Sequence, residues 1–497
     1  MKRKYIFLPI ILLCLLNCTK ELEQTPISNA TTLTFYQSTN DFNQGLNAVY
    51  SSLRGYPDRI LNLSETRSDN VYGVSDGGVR DWEGVNSFHN TLASNPYIAE
   101  AWSANYSGIF RANNYLEQLQ KNGSVITDAA LKTRFEAEAR FLRAFMYFDL
   151  VRTFGKVPLI DKVVSQNEAL AISRSSTTEV YSLIIADLQF AAQNLSASYT
   201  ATNAGRITNF AAKGLLALVY MTRSGATYNI DGPGTASNEW NTALGLLNDI
   251  INSNKFSLQP TYPDVFSYTK EGNPEVIMDI QFISGGLGLG SGFPIALVPD
   301  PYLTSKGLPQ GGSIRPISND LVNSYEAADT RKAFTIFLNG FTSNGVLDDR
   351  PFYIKYLDVT KKGNDRLDWP VNFIVLRYAD ILLLKAECIL QGATGGGTAA
   401  DALALVNQVR KRAGLPDATS ITLAGLFTER RKEFAAEGTR WYDLVRSGQV
   451  DKIINAWIPV EDVMKQMRPF NTNFIIYPIP QSEMDVKQGL YTQNAGY

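Results

Sequence analysis

The stretch Ala139-Arg-Phe-Leu-Arg-Ala-Phe-Met-Tyr-Phe-Asp-Leu-Val-Arg-Thr-Phe-Gly-Lys-Val-Pro-Leu-Ile160 decides how the rest of the chain is read. With Leu131 and Phe135 before it, Ala139, Leu142, Met146 and Leu150 recur at the three- and four-residue steps that line one face of a helix. Gly155 then supplies a stop, since a residue without Cβ tolerates the backbone turn that ends a helix.

The same spacing returns on both sides. Thr39 reads as an N-cap before Phe42, Leu46, Val49, Tyr50 and Leu53, with Gly55 as the stop. Trp102, Tyr106, Ile109, Phe110, Asn113 and Leu116 predict another helix, and Ser176-Thr-Thr-Glu179 is a capping box opening onto Val180, Ile184, Leu188, Ala191 and Leu195. Thr208 caps a run from Phe210 to Met221 with small residues along one edge, and an amphipathic run from Trp240 to Ile251 completes a helical hairpin. A related hairpin begins at Ala379-Asp-Ile-Leu-Leu-Leu-Lys-Ala-Glu-Cys-Ile-Leu and passes through a glycine-rich turn to a run from Ala399 to Arg412. Both hairpins resemble tetratricopeptide-type units, which bury their faces only by stacking on neighbours. Between them, residues 253–372 carry β-branched and aromatic runs such as Glu275-Val-Ile-Met-Asp-Ile-Gln-Phe282 and Phe352-Tyr-Ile-Lys-Tyr356 among many glycines and prolines. Short strands and long loops are expected there. The prediction is a mainly α protein with a loop-rich insertion, the arrangement in which a scaffold holds binding loops.

The chain opens Met-Lys-Arg-Lys and continues with an apolar run from Tyr5 to Leu16, interrupted by Pro9. A membrane span needs about 20 apolar residues, so residues 1–17 read as an export signal. Leu15-Leu16-Asn17-Cys18 resembles a bacterial lipobox, making Cys18 the expected site of lipidation, although Asn17 stands where a smaller residue is usual. The polar, charged segment 18–30 reads as a tether; its lysine–glutamate mixture also resembles a surface-export signal. Beyond the anchor, Cys388 is the mature chain's one cysteine, so the fold has to rest on its core rather than on disulfides. With 44% hydrophobic and 11% aromatic residues it has the material. Length alone would suggest about three domains; the helical pattern points instead to a single body, 31–497, with a helical part at 31–252, the insertion at 253–373 and a second helical part at 374–497. Forty-six basic against 48 acidic residues, with no basic block, make nucleic acid an unsuitable partner.

Several apparent motifs fail on context. Glu429, Glu433 and Glu437 fall four apart among Arg430, Arg431 and Lys432, with Arg440, Asp443 and Arg446 beyond, a pattern that i,i+4 pairing and helix-to-helix salt bridges explain without catalysis. Gly73-Val-Ser-Asp-Gly77 has the letters of a nucleophile elbow but no strand–turn–helix setting, and the chain's single histidine, His89, follows closely on the same loop. Gly285-Gly-Leu-Gly-Leu-Gly-Ser-Gly292 lacks the spacing of a nucleotide loop. One histidine and one free cysteine cannot make a zinc set, so no metal site and no cofactor is assigned, a calcium site from loop oxygens being left open, and Cys388 on an apolar helix face reads as packing.

Five strings resemble, in order, those of the SusD/RagB family: 139–160 above, Arg377-Tyr-Ala-Asp-Ile-Leu-Leu-Leu-Lys-Ala-Glu387, Val406-Asn-Gln-Val-Arg-Lys-Arg-Ala-Gly-Leu-Pro416, the charged segment 429–448, and Tyr477-Pro-Ile-Pro-Gln-Ser-Glu483. The resemblance spans nearly the whole mature chain. It implies a helical superhelix with tetratricopeptide-like pairs, tethered by lipid to the outer membrane and facing the cell exterior, that captures an oligosaccharide or a peptide and passes it to a SusC-like TonB-dependent transporter without catalysis. A surface glycan or protein hydrolase, and a periplasmic helical-repeat scaffold, are the alternatives.

For the ligand, the loop 67–97 stands out. It joins two helices and carries Arg80, Asp81, Trp82 and Asn86 among glycines, so that aromatic faces and directional hydrogen-bonding groups occur together. A loop near this position contributes to the ligand platform in the family. Tyr302 and Trp369, beside glycine- and proline-rich loops of the insertion, are further candidates.

Overall fold

A computed structural model describes residues 35–73, 80–308 and 315–497. The expected signal segment, Cys18 and the tether lie outside these residues, as do residues 74–77 of the Gly73–Gly77 string.

The first helix, α1 (Thr39–Tyr50), is capped one residue earlier than expected. Ser38 Oγ accepts from Asp41 N at 3.2 Å while the Asp41 carboxylate accepts from Ser38 N at 2.9 Å. A capping box needs an acid three positions on, which Ser38 has in Asp41 and Thr39, facing Phe42, lacks. Gly55 is not the stop: α1 runs through a tight turn, and Gly55, in the right-handed region, opens a short helix Tyr56–Ile60 that continues into a wide turn at Leu61–Glu65.

After α2 (Asp81–Asn86) come two long antiparallel helices, α3 (Pro96–Asn122), capped by Asn95, and α4 (Ala129–Phe154), capped by Asp128. Gly155 ends α4 at φ +70°, and a Cβ there would overlap the carbonyl oxygen of Asp231. The Ser176 capping box opens α5 (Thr177–Asn194) and the Thr208 hydroxyl caps α6 (Asn209–Ser224), both as the sequence predicts. α7 (Trp240–Asn252) follows; beyond the insertion stand α8 (Tyr378–Leu390) and α9 (Ala399–Arg412).

Each helix from α3 to α9 packs on the next, and this includes α7 on α8. The two hairpins, far apart in sequence, are therefore consecutive layers of one stack, and the insertion is looped out from between them. It stays tied at its root: strand β1 (Val276–Ile280) pairs antiparallel with β2 (Phe373–Arg377), which runs directly into α8. Gly214 of α6 lies against Leu376 of β2, so close that a Cβ would collide with it. Every other paired strand is shorter, and among the described residues no helix is long and apolar enough to cross a membrane.

The charged run departs most from expectation. α10 (Leu423–Glu433) and α11 (Arg440–Arg446) are joined by a bend with Ala436 at φ +67°, and Glu429 through Glu433, Glu437, Arg440, Asp443 and Arg446 are buried. Few of the pairs are local. Arg377 reaches Glu275 at 2.9 Å, Glu433 at 2.6 Å and Glu437 at 2.8 Å. Arg331 joins Asp329, Glu429 and Glu433, Arg446 joins Glu387, and Arg440 joins Asp69 at 2.8 Å. Burial alone would raise the Glu433 carboxyl, but Arg412, Arg377 and Arg331 outweigh it and hold the group well below the carboxylate range. The run is thus an interior bolt: Arg331 and Lys355 from the insertion and Asp69 from the N-terminal part lock into it directly, and Glu275 joins through Arg377 and Arg412, which also hold Glu433. Cys388 is buried in the core, and burial pushes its thiol pKa up.

Candidate functional site

The loop 67–97 is anchored at its base by Arg67, which is wholly buried. Its guanidinium donates to Val85 O at 3.0 Å and Phe474 O at 2.6 Å and lies 4.4 Å from the Tyr477 ring centre and 4.9 Å from that of Phe88. Carbonyls and ring faces stand in for an anion. Asn86 closes the loop on itself: Gly73 N donates to its Oδ1 at 2.7 Å, and its Nδ2 donates to Thr66 O and Val71 O at 2.8 Å each. Its amide is spent on backbone and, at 1% exposure, is not offered to a ligand.

Trp82, on the second position of α2, is 7% exposed. The Arg315 guanidinium covers its ring at 4.5 Å, with that of Arg80 at 6.0 Å. Arg315, 4% exposed, is held by Asn62 Oδ1 at 2.6 Å and Thr66 Oγ1 at 3.1 Å, and lies 6.0 Å from the Tyr97 ring centre. Among the described residues its Nε and the Trp82 Nε1 are buried without a hydrogen-bond partner. Nearby, burial raises the Asp58 carboxyl to about 6 against the pull of Arg315, Arg59 and Arg366.

Arg80 and Asp81, by contrast, are exposed and line a cleft of about 430 Å³ with Glu83, His89, Asn95 and Gln466. One wall is α2 with the turn after it; the other is segment 466–468, joined to it where Arg468 N donates to Ser87 O at 3.1 Å. His89 is kept neutral in preference to charged, first by desolvation and then by Arg468. This wall of carboxylate, amide, imidazole and guanidinium groups suits a hydroxyl-rich or otherwise polar ligand. Among the described residues no cluster of His, Cys, Asp or Glu is placed to hold a metal ion.

The two candidates in the insertion face inward. Tyr302, 9% exposed, packs between Phe337, Phe341 and Phe352. Trp369 is 0% exposed, its Nε1 donating to Arg366 O at 3.2 Å, so neither face of the ring is open to a ligand. They share one small core beneath the insertion and do not join the cleft at α2. Arg315 and Gln466 went unnoticed in the sequence. Both reach the loop from distant segments, and nothing local marks them.

Comparison with known proteins agrees with the architecture at both ends of the chain. Residues 22–221 match the family described as starch-binding associating with outer membrane, and residues 350–497 match the SusD family. The N-terminal and C-terminal parts of the chain are thus each similar to SusD-type families. A SusD-like protein of Bacteroides ovatus is 28% identical over 96% of this chain and 87% of its own. SusD-like protein P38 of Formosa agariphila is 29% identical, over 90% of this chain and 92% of its own. Among solved structures, surface glycan-binding protein A from Bacteroides uniformis superposes with a TM-score of 0.77 at 25% identity, covering 93% of this chain and 100% of that one. A laminarin binding SusD-like protein does so with a TM-score of 0.75 at 28% identity and the same coverage. The SusD-like scaffold thus spans both helical parts and the insertion.

Proposed function

We propose that this SusD-like protein is a lipid-anchored surface protein of the outer membrane that binds an oligosaccharide and presents it to a SusC-like TonB-dependent transporter, without catalysing a reaction. The observation that carries the reading is its likeness, over 93% of the chain, to a laminarin binding SusD-like protein. The cleft beside α2 supports it, since its exposed groups are hydrogen-bonding and charged. Within that reading Arg80 and Asp81 contact the sugar, Trp82 and Arg315 form the floor, and Asn86 holds the loop in shape. Cys18 carries the lipid.

Isothermal calorimetry against panels of oligosaccharides and peptides tests the reading. Saturable glycan binding that weakens at least about tenfold in Arg80→Ala and Asp81→Ala, at unchanged Tm, is expected; a factor of ten corresponds to about 1.4 kcal/mol. Binding of peptides alone would move the ligand class, and turnover of a glycan would restore the hydrolase reading.

A further inference from the structure

A second cleft, of about 600 Å³, opens where α4 ends. Its main walls come from three segments, with Lys156, Ser173 and Arg174 beside them, and two of the three are tied down. The turn 229–231 is seated against Gly155, where only glycine leaves room for the Asp231 carbonyl. The segment 490–495 is held by Arg174, whose Nη1 and Nη2 donate to Thr492 O and Asn494 Oδ1 at 2.5 Å each, and by the Asn494 amide, which donates to Phe154 O and Tyr477 O. Asn473 completes the third side. Into this frame project the exposed Asn229 and Thr492, the half-buried Tyr491 and the Lys156–Asp231 ion pair at 3.0 Å. Asn229 sits at φ +56°, a backbone position that asparagine accepts more readily than most residues. The lining offers amides, hydroxyls, an aromatic ring and a balanced charge pair.

The position of this cleft relative to the first is fixed by α3. Asn95 and Pro96 at the start of α3 line the first cleft; Trp102, six residues further along, lies 6.2 Å from the ring centre of Tyr491 in the second. Six residues are about 9 Å of helix axis. The short helix Gln481–Val486 packs on the rim of the first cleft at Leu92–Ser94 and leads into the 490–495 wall of the second. Segment 466–476 does the same on another side, with Gln466 and Met467 in one cleft and Asn473 and Ile476 in the other. Both clefts therefore open at the same end of the helical stack.

We propose that the second cleft is a further glycan-binding site, and that the two together grip separate stretches of one extended polysaccharide chain. This rests on the glycan-binding reading above and specifies its ligand as a long chain rather than a short fragment. Tethering the second contact through the first gives avidity that a short sugar cannot gain.

Calorimetry with laminarin and with laminaribiose, on the full body and on Asn229→Gly and Tyr491→Leu, tests it. The glycine substitution removes the amide and keeps the backbone conformation allowed. Expected is a Kd for laminarin about tenfold weaker in the variants, with laminaribiose unaffected. Unchanged laminarin affinity in both variants overturns the second site and leaves the first intact. No binding of either probe by the wild type overturns both this inference and the glycan-binding reading for this glycan. Should Tyr491→Leu unfold, hydrogen exchange of the wild type decides: laminarin protects amides of 490–495 if the inference holds and leaves them unchanged if it fails.

Discussion

Arg377→Met takes away the guanidinium at the centre of the interior bolt. Arg377 makes five hydrogen bonds there, two to Glu437, one each to the carboxylates of Glu275 and Glu433, and one to the Glu433 carbonyl. After its loss Arg412 has to serve both Glu433 and Glu275 while Arg331 is already shared with Asp329 and Glu429, so the buried network is left one positive charge short. Glu433 keeps Arg331 at 2.9 Å and also Arg412, Glu275 keeps Arg412 at 3.1 Å, and Glu437 keeps Lys355 at 2.6 Å. The loss is therefore that of one partner from a shared buried network, about 3–5 kcal/mol. With about 2 cal/mol/K of unfolding entropy per residue, a body of this size loses about 1 °C of Tm per kcal/mol, so a fall of about 3–5 °C is expected. Differential scanning calorimetry at neutral pH measures it. Arg377→Lys should recover only part, because an ammonium cannot reach Glu275, Glu433 and Glu437 with the same fork. A Tm for Arg377→Met equal to the wild type would refute the reasoning, and would mean that Arg331, Arg412 and Lys355 alone neutralise the cluster.

The Asp58 carboxyl is raised by burial to about 6, so the folded state holds its proton more tightly than the unfolded chain, where the value is about 3.9. The stability penalty is therefore fully present above about pH 6 and vanishes below about pH 4. Asp58→Asn should raise Tm at pH 8 and change it little at pH 4; an equal effect at both would contradict this. Gly155→Ala forces a side chain into a left-handed backbone and onto the Asp231 carbonyl, and a loss of more than about 1–3 kcal/mol in denaturant unfolding is expected. The losses expected in Arg80→Ala, Asp81→Ala and the second-cleft variants are separable from these, since they alter affinity with Tm unchanged.

What could be read in advance was what short-range chemistry specifies. The Ser176 and Thr208 caps, the end of α4 at Gly155 and the runs of α6 to α9 each depend on residues within one or two turns. At Ser38 the same rule applied with an acid three residues on would have placed α1 correctly. The charged run was readable as helix but not as interior, because its partners Asp69, Arg331, Arg377 and Glu387 lie in other segments. The candidate loop was found by composition, yet exposure could not be inferred from it. Arg80 and Asp81 face solvent, whereas Trp82 lies under Arg315, a cover supplied by the insertion more than 200 residues away in sequence. Tyr302 and Trp369 went to a small core for a similar reason, since in short strands and loops nothing periodic tells the inner side from the outer.

The direct packing of α7 on α8 has a consequence for how such chains diversify. Closing a loop costs free energy only logarithmically in its length, about 0.6 kcal/mol for each doubling. The segment between those helices can therefore lengthen, shorten or be exchanged in its loops at little expense to the stack, provided Glu275, Arg331 and Lys355, and the rings such as Tyr262, Phe266 and Tyr356 that enter the main core, travel with it. A graft of residues 253–372 from a SusD-like relative that retains those residues becomes an interchangeable head on a constant frame, and one that lacks them leaves the frame with an open socket.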